Sequence, residues 1–218
     1  MGILNTTIRY LKHQLAAHTR YSIHSPFVFD FVTQVLPNRN STDGKTIESM
    51  RKAQAKSEKI IEIEDFGAGY GGIAQPMIRK KLSEVVKGSA RGRREGELLH
   101  RITQKYEPAY ILEFGANIGY SGMYLQSGNR EAKVISVEGS SNLAEIAAEN
   151  HQKIGSAATI IPARFEDFLK DPQYFEQSID LFFLDGNHRY EPTVRYVSEI
   201  LPKMADGGII MLDDIRWS

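Results

Sequence analysis

From residue 107 onward the sequence alternates short apolar runs with helical stretches, and that alternation admits few folds. AYILEFG, KVISVEG, ATIIPA, IDLFFLDG and GGIIMLDD read as strands. Between them lie a helix from Ser121, the segments SNLAEIAAENHQKIG and FEDFLKDPQYFEQ, and a helix running to about Lys203. Five such steps predict an α/β fold built on a parallel, doubly wound, Rossmann-like sheet. Open sheets of this kind hold ligands at the carboxyl ends of their strands. The acids of the segment fall at those ends: Glu113, Glu138, Asp185 and the pair Asp213 and Asp214.

The first strand carries the most chemistry. YILEFGANIGYSGM, residues 110–123, ends its apolar run in Glu113 and enters a turn with Gly115 and Gly119, and the next strand ends in Glu138. Glycines where backbone must approach a ligand, followed by an acid where ribose hydroxyls sit, point to an adenosine-containing cofactor. A dinucleotide fingerprint is G-x-G-x-x-G, a short turn that sets a helix N-terminus on a pyrophosphate. Here the pattern is the looser E-x-G-x-x-x-G, with a carboxylate beside it that would repel phosphates and attract an ammonium or sulfonium. S-adenosylmethionine fits those terms.

Composition narrows the alternatives. The 218 residues are 41% hydrophobic and 25% charged, ordinary globular values and enough chain for one α/β domain with an appendage. Lys and Arg total 27, as do Asp and Glu, so no overall field favours nucleic acid or an anionic membrane. Cysteine is absent, which removes disulfides, thiolate nucleophiles and sulfur-ligated metals and agrees with a reducing compartment. No apolar run approaches the ~18 residues a span needs, and Arg9 and Lys12 interrupt the N-terminal apolar residues, so a cytoplasmic protein without membrane contact is expected.

Residues 1–106 read as an N-terminal helical and loop extension to a core spanning 107–218. Leu4, Ile8, Leu11 and Leu15 mark one face of a helix over 3–16. Ser25 and Pro26 predict the cap and first turn of a second helix that ends by Pro37. Residues 38–56 are polar and strand-poor. IIEIEDFGAGYGG, residues 60–72, matches a glycine-rich nucleotide loop more closely than residues 113–119, but no strand ending in an acid follows about 20 residues later, so a plain glycine loop is expected. The basic run from Arg79 to Lys105 predicts a solvated helix face, with docking of an anionic substrate as the competing reading.

Taken together, LEFGANIGYSG, ISVEG, FFLDGNHRY and GGIIMLDDIRW resemble the first, ribose-binding, fourth and fifth strand motifs of class I S-adenosylmethionine-dependent methyltransferases. The nearest resemblance is to the catechol and caffeoyl-CoA type of small-molecule O-methyltransferase, over roughly half the chain. The resemblance implies roles by position. Glu113 would lie near the methionine ammonium; Gly115, Ala116 and Gly119 would admit the cofactor to the backbone; Ser121 would bind its carboxylate. Glu138, with Gly139 after it, would hold the ribose hydroxyls, and Phe165 and Glu166 would line the adenine. Asp185 belongs to the same cofactor set.

The resemblance also implies a magnesium or calcium ion on Asp185, Asp213 and Asp214, able to acidify a substrate hydroxyl. Asp214 stands where the family usually has Asn, which leaves open a carboxylate that binds no metal. His188 replaces the family's lysine three residues after Asp185, and a neutral imidazole there would act as general base, with Asp185 as its catalytic neighbour. A small hydroxylated methyl acceptor is the implied partner. The family's core continues past its fifth strand, so this chain is expected to lack the last two strands and to leave an uncovered edge suited to self-association. Two other readings compete: a non-catalytic cofactor-binding or interaction module, and a nucleic-acid methyltransferase. The second is disfavoured because the fourth strand ends LDGN, without the Asn/Asp-Pro-Pro-aromatic sequence that grips a flipped base.

Overall fold

The computed structural model describes residues 24–37, 41–64, 77–88 and 92–214. The chain divides into two compact units, residues 1–38 and 39–218. In the first, helix α1 (Pro26–Asp30) continues into a π-helical stretch, Phe31–Val35. Ser25 caps it as its sequence predicts, its Oγ accepting the Val28 N–H at 3.3 Å, with Pro26 supplying the fixed φ of the first turn. The helix expected over 3–16 lies outside the described residues.

The second unit opens with α2 (Thr42–Gln54), a helix in a stretch whose polarity alone suggests only a connection. The signal is its cap: Ser41 Oγ accepts the Gly44 N–H at 2.9 Å, and the Glu97 carboxylate accepts the Ser41 N–H at 2.9 Å. Strands β1 (Ile60–Ile63) and β2 (Ile78–Lys81) then form an antiparallel pair, Ile60 opposite Lys81 and Ile63 opposite Ile78. The glycine-rich loop between them falls largely within residues 65–76, outside the described residues. The expectation that the basic run is a helix face fails at its start. Arg79, Lys80 and Lys81 lie on β2, where pairing sets Arg79 3.7 Å from Glu62 and brings Lys81 to 2.6 Å from Glu58. Helices α3 (Leu82–Gly88) and α4 (Arg93–Tyr106) carry the rest, apart from Arg91, which is outside the described residues.

The remainder is the predicted α/β sheet. Its strands are β3 (Tyr110–Phe114), β4 (Lys133–Glu138), β5 (Thr159–Pro162), β6 (Ile179–Leu184) and β7 (Met204–Leu212), all parallel, in the order β5-β4-β3-β6-β7. The connecting helices are α5 (Tyr120–Gly128), α6 (Ser141–Lys153), α7 (Phe165–Phe168) and α8 (Tyr190–Ile200). β3 is buried along its whole length, as a central parallel strand covered on both faces must be. One face packs Leu112, Phe114, Ile135, Val137, Phe182 and Leu184 against Phe168, Tyr196 and Ile200. On α4 and α5, glycines permit close approach: a side chain at Gly96 would overlap the Tyr124 ring, and one at Gly128 would overlap Thr103. Because the chain winds outward from β3 through β4 to β5 and then returns to β3's other side with β6, the strand order reverses at β3, where open sheets form their ligand crevice. Among the described residues no helix is long and apolar enough to cross a membrane.

Candidate cofactor and active site

The carboxyl ends of β3, β4 and β6 are brought level by main-chain hydrogen bonds just beyond the strands. Gly115 N–H donates to Val137 at 2.9 Å, Asp185 N–H to Phe114 at 2.8 Å, and Asp213 N–H to Leu184 at 3.0 Å. Of the residues that the sequence assigns to a site, Gly115, Glu138, Asp185 and Asp213 therefore share one edge of the sheet. The turn from β3 into α5 takes left-handed backbone at Gly115 (φ +96°), Asn117 (φ +49°) and Gly119 (φ +89°). At Gly115 the requirement is double, since a Cβ would also overlap the Asp185 carbonyl. Ala116 is buried within the turn.

Glu138 fastens this turn to the end of β4. Its Oε2 accepts the Asn117 N–H at 2.8 Å and its Oε1 accepts the Ser140 N–H at 2.9 Å. Each carboxylate oxygen has more than one acceptor direction, so a carboxylate fixed in this way can still receive hydroxyl donors. Gly139, between Glu138 and Ser140, is half-buried.

Beneath the turn lies a polar cluster of which the sequence reveals only Glu113. That carboxylate is fully buried and accepts a hydrogen bond from Ser136 Oγ at 2.5 Å, the two residues being register partners on β3 and β4. Gly122 closes the cluster from α5: a Cβ there would stand 2.8 Å from Glu113, 2.9 Å from Ser136 and 3.2 Å from the ring of His151. Ser121, expected at a helix start, is the second residue of α5 and is buried there, the cap position being Gly119. His151, on α6, places Nε2 3.1 Å from the Gly119 carbonyl and Nδ1 2.8 Å from Ser156 Oγ. A carbonyl can only accept, so Nε2 carries the proton and Nδ1 accepts from the serine. Burial pushes the imidazole down to about 4, opposed by the bond to Gly119, so it is neutral at ordinary pH. Ser136 and His151 carry no motif; their only sequence signal is a polar residue at a position whose periodicity calls for a buried one.

Phe165 and Glu166 lie in the connection after β5. Phe165 stacks on Phe114 with ring centroids 4.6 Å apart, meets Tyr196 edge-on at 5.4 Å, and would be 2.9 Å from a Cβ at Gly186. Much of that ring is thus engaged by the core. Glu166 accepts the Tyr196 hydroxyl at 2.6 Å; burial works against its charge, but that bond and nearby Arg164 and Arg195 hold its carboxyl below the usual range. Desolvation and the same partner push Tyr196 up to about 12.

His188 Nε2 stands 3.9 Å from Asp185 Oδ1, an ion-pair separation and too long for a hydrogen bond, with both side chains about a fifth exposed. Asn187 between them is left-handed, φ +47°. The expected metal donors do not assemble. Among the described residues there is no group of three or more His, Cys, Asp or Glu side chains placed to hold a metal ion. β7 ends at Leu212, and a left-handed backbone at Asp214 (φ +49°), itself exposed, carries the chain out of the strand direction two residues later. Asp185 and Asp213 follow paired strand ends, and among the described residues no third His, Cys, Asp or Glu side chain joins them in a metal-binding group.

Comparison with known proteins agrees with this geometry. A family model described as a methyltransferase domain matches residues 112–215. The SAH-bound methyltransferase PaMTH1 of Podospora anserina is similar over 88% of this chain and 72% of its own, with a TM-score of 0.59 at 19% identity. An O-methyltransferase of Bacillus cereus in complex with SAH gives 0.56 at 18% identity, over 87% of this chain and 73% of its own. The O-methyltransferase TomG of Streptomyces achromogenes, involved in tomaymycin synthesis and solved with SAM, gives 0.54 at 17%, over 91% and 75%. No curated protein matches the sequence. At these identities the structural likeness establishes the fold.

Proposed function

We propose, from the methyltransferase-domain match over residues 112–215 and the fold shared with SAH-bound methyltransferases, that the chain is an S-adenosylmethionine-dependent methyltransferase acting on a hydroxyl of a small acceptor. One observation carries the cofactor half of the reading: the Glu138 carboxylate, at the carboxyl end of β4, is locked onto the positive-φ turn after β3. That pairs an acceptor suited to ribose hydroxyls with a stretch of backbone open to close approach. Gly115, Ala116, Gly119 and Glu138 would hold the adenosyl and amino-acid parts, with Gly139 and Ser121 flanking them. Glu113 would act from beneath as buried negative charge, and Phe165 and Glu166 would border the base.

When bound, S-adenosylmethionine supplies an electrophilic methyl on a sulfonium, and an acceptor oxygen forms the new carbon–oxygen bond as the carbon–sulfur bond breaks. The chain's contribution is to hold the two in line and to take the acceptor's proton. We assign that proton to His188, whose imidazole Asp185 flanks and would stabilise once charged. No step is routed through a metal, because the carboxylates at 185, 213 and 214 do not form a donor set.

The test is calorimetric titration of the purified chain with S-adenosylhomocysteine, followed by transfer assays with catechol in magnesium and in chelator. Micromolar binding, with transfer that survives chelation and falls at least about 100-fold in His188→Ala, is the expected result. A folded chain that does not bind would overturn the cofactor reading, and transfer strictly dependent on magnesium would restore the metal-assisted mechanism.

A further inference from the structure

The turn that follows β3 is held from the side by two adjacent residues of α6. Asn150 Nδ2 donates to the Ile118 carbonyl at 2.8 Å, and His151 Nε2 donates to the next carbonyl, Gly119, at 3.1 Å. Both side chains are buried, and each is itself oriented by a further partner. His151 Nδ1 meets Ser156. Asn150 Oδ1 accepts from Gln54 Nε2 at 2.6 Å, and Gln54 Oε1 accepts the Tyr120 hydroxyl at 2.7 Å. Gln54 is the last residue of α2, far outside residues 112–215. Its amide thus spans from the first residue of α5 to α6, and through Asn150 to the turn.

Two consecutive carbonyls drawn toward α6 have a direct consequence for their peptide planes. The Gly119 carbonyl is also the first acceptor of α5, receiving the Met123 N–H at 3.0 Å, so His151 adds a second donor to a carbonyl the helix already aligns. In a trans peptide the N–H lies opposite the C=O, and holding that carbonyl holds the Tyr120 N–H with it. Fixing the Ile118 carbonyl likewise sets the Gly119 N–H, which is spent on Ala116 at 2.8 Å. Asn150 and His151 therefore brace the peptide planes that carry the backbone donors of the turn, without standing among the residues assigned to cofactor contact.

We propose that Asn150 and His151 are positioning residues for the cofactor turn, and that Gln54 anchors Asn150 from a helix outside residues 112–215. The inference rests on the cofactor reading given above. It predicts that ligand affinity at the turn depends on a side chain in the N-terminal half of the chain that makes no contact with the ligand.

The test compares S-adenosylhomocysteine affinity, by calorimetry, with the melting temperature for the full chain and its Gln54→Leu, His151→Phe and His151→Gln variants. Lys153→Ala, which removes an exposed ion pair on the same helix, is the control. A buried hydrogen bond that fixes the binding conformation should move the dissociation constant about tenfold in Gln54→Leu and in His151→Phe. His151→Gln, which keeps an amide donor near the Nε2 position, should recover most of that loss, and Lys153→Ala should bind as the parent does. Lower melting temperatures with unchanged affinity would overturn the proposal and leave a purely structural bridge. Equally weak binding by His151→Gln and His151→Phe would overturn it as well. A parent chain that fails to bind would instead remove the cofactor reading itself, and this inference with it.

Discussion

The Asn117 N–H meets Glu138 Oε2 at 2.8 Å, tying the crest of the turn after β3 to the end of the neighbouring strand. A carboxylate in that place is therefore a structural strut before any ligand arrives, and its variants should separate the two roles.

Glu138→Gln keeps one acceptor oxygen and the side chain's shape, while Glu138→Ala removes both bonds to Asn117 and Ser140. The glutamine variant should remain within about 1 kcal/mol of parental stability, and the alanine variant should lose about 2 kcal/mol. Both should lose S-adenosylhomocysteine affinity, alanine by ~100-fold or more. Denaturant unfolding together with calorimetry measures both quantities. Parental affinity in the alanine variant would contradict the assignment of Glu138 to the ribose.

Gly115→Ala should prevent folding or cost more than about 3 kcal/mol, because a Cβ adds an overlap with the Asp185 carbonyl to an unfavourable φ of +96°. Gly155→Ala is the matched comparison. Its φ is +68°, but nothing stands within 4 Å of the added carbon, so only the backbone penalty of about 1 kcal/mol remains. Equal melting temperatures for the two would mean that β3 and β6 can part freely.

Ser136→Ala leaves the buried Glu113 carboxylate without the hydroxyl that donates to it at 2.5 Å. A cost of about 2 kcal/mol is expected, and adding Glu113→Gln to Ser136→Ala should cost less than the two single changes summed, since the carboxylate that Ser136 serves is then gone. Strict additivity in the double-mutant cycle would show that the two side chains do not support one another.

His151 titrates at about 4 in the folded chain, depressed by burial from an ordinary value near 6.5. A depressed imidazole favours the folded state at pH above 6.5, and that contribution drains away as the pH falls from 6.5 toward 4. The full effect is on the order of 3 kcal/mol. Burial also lowers His100, which adds a loss of the same sign. The stability difference between the parent and His151→Gln should therefore shrink between about pH 7 and pH 4, as measured by urea unfolding across that range. A constant difference would mean that the ring titrates alike in the folded and unfolded chain, so that burial does not depress it.

Much of the core is legible without coordinates because local pattern and global fold agree there. YILEF and IDLFFL are apolar runs of strand length, and a central parallel strand is the environment that buries both faces of such a run. The positive φ of Gly115 and Gly119 and the place of Glu138 at the end of β4 are legible for a similar reason: a turn at a strand end needs residues that tolerate positive φ, and an apolar strand run stops at its first acid. α2 is not, because its apolar face is narrow and its cap is completed by Glu97, 56 positions from Ser41. β2 is hidden because its side chains are mostly charged and its strand state comes from pairing with β1.

The sequence by itself determined the alternation of strand and helix, the strand ends that carry the acids, and the turn whose backbone only glycine readily supplies, because each follows from local sterics and hydrophobic period. Only the tertiary structure decided that Asp185, Asp213 and Asp214 form no three-donor group and that Ser136 supports Glu113. It alone joined Gln54, Asn150 and His151 into one support for two carbonyls. Those relationships depend on sheet order and helix packing between distant segments, and a hydrogen bond across such a distance leaves no period or motif in the chain that makes it.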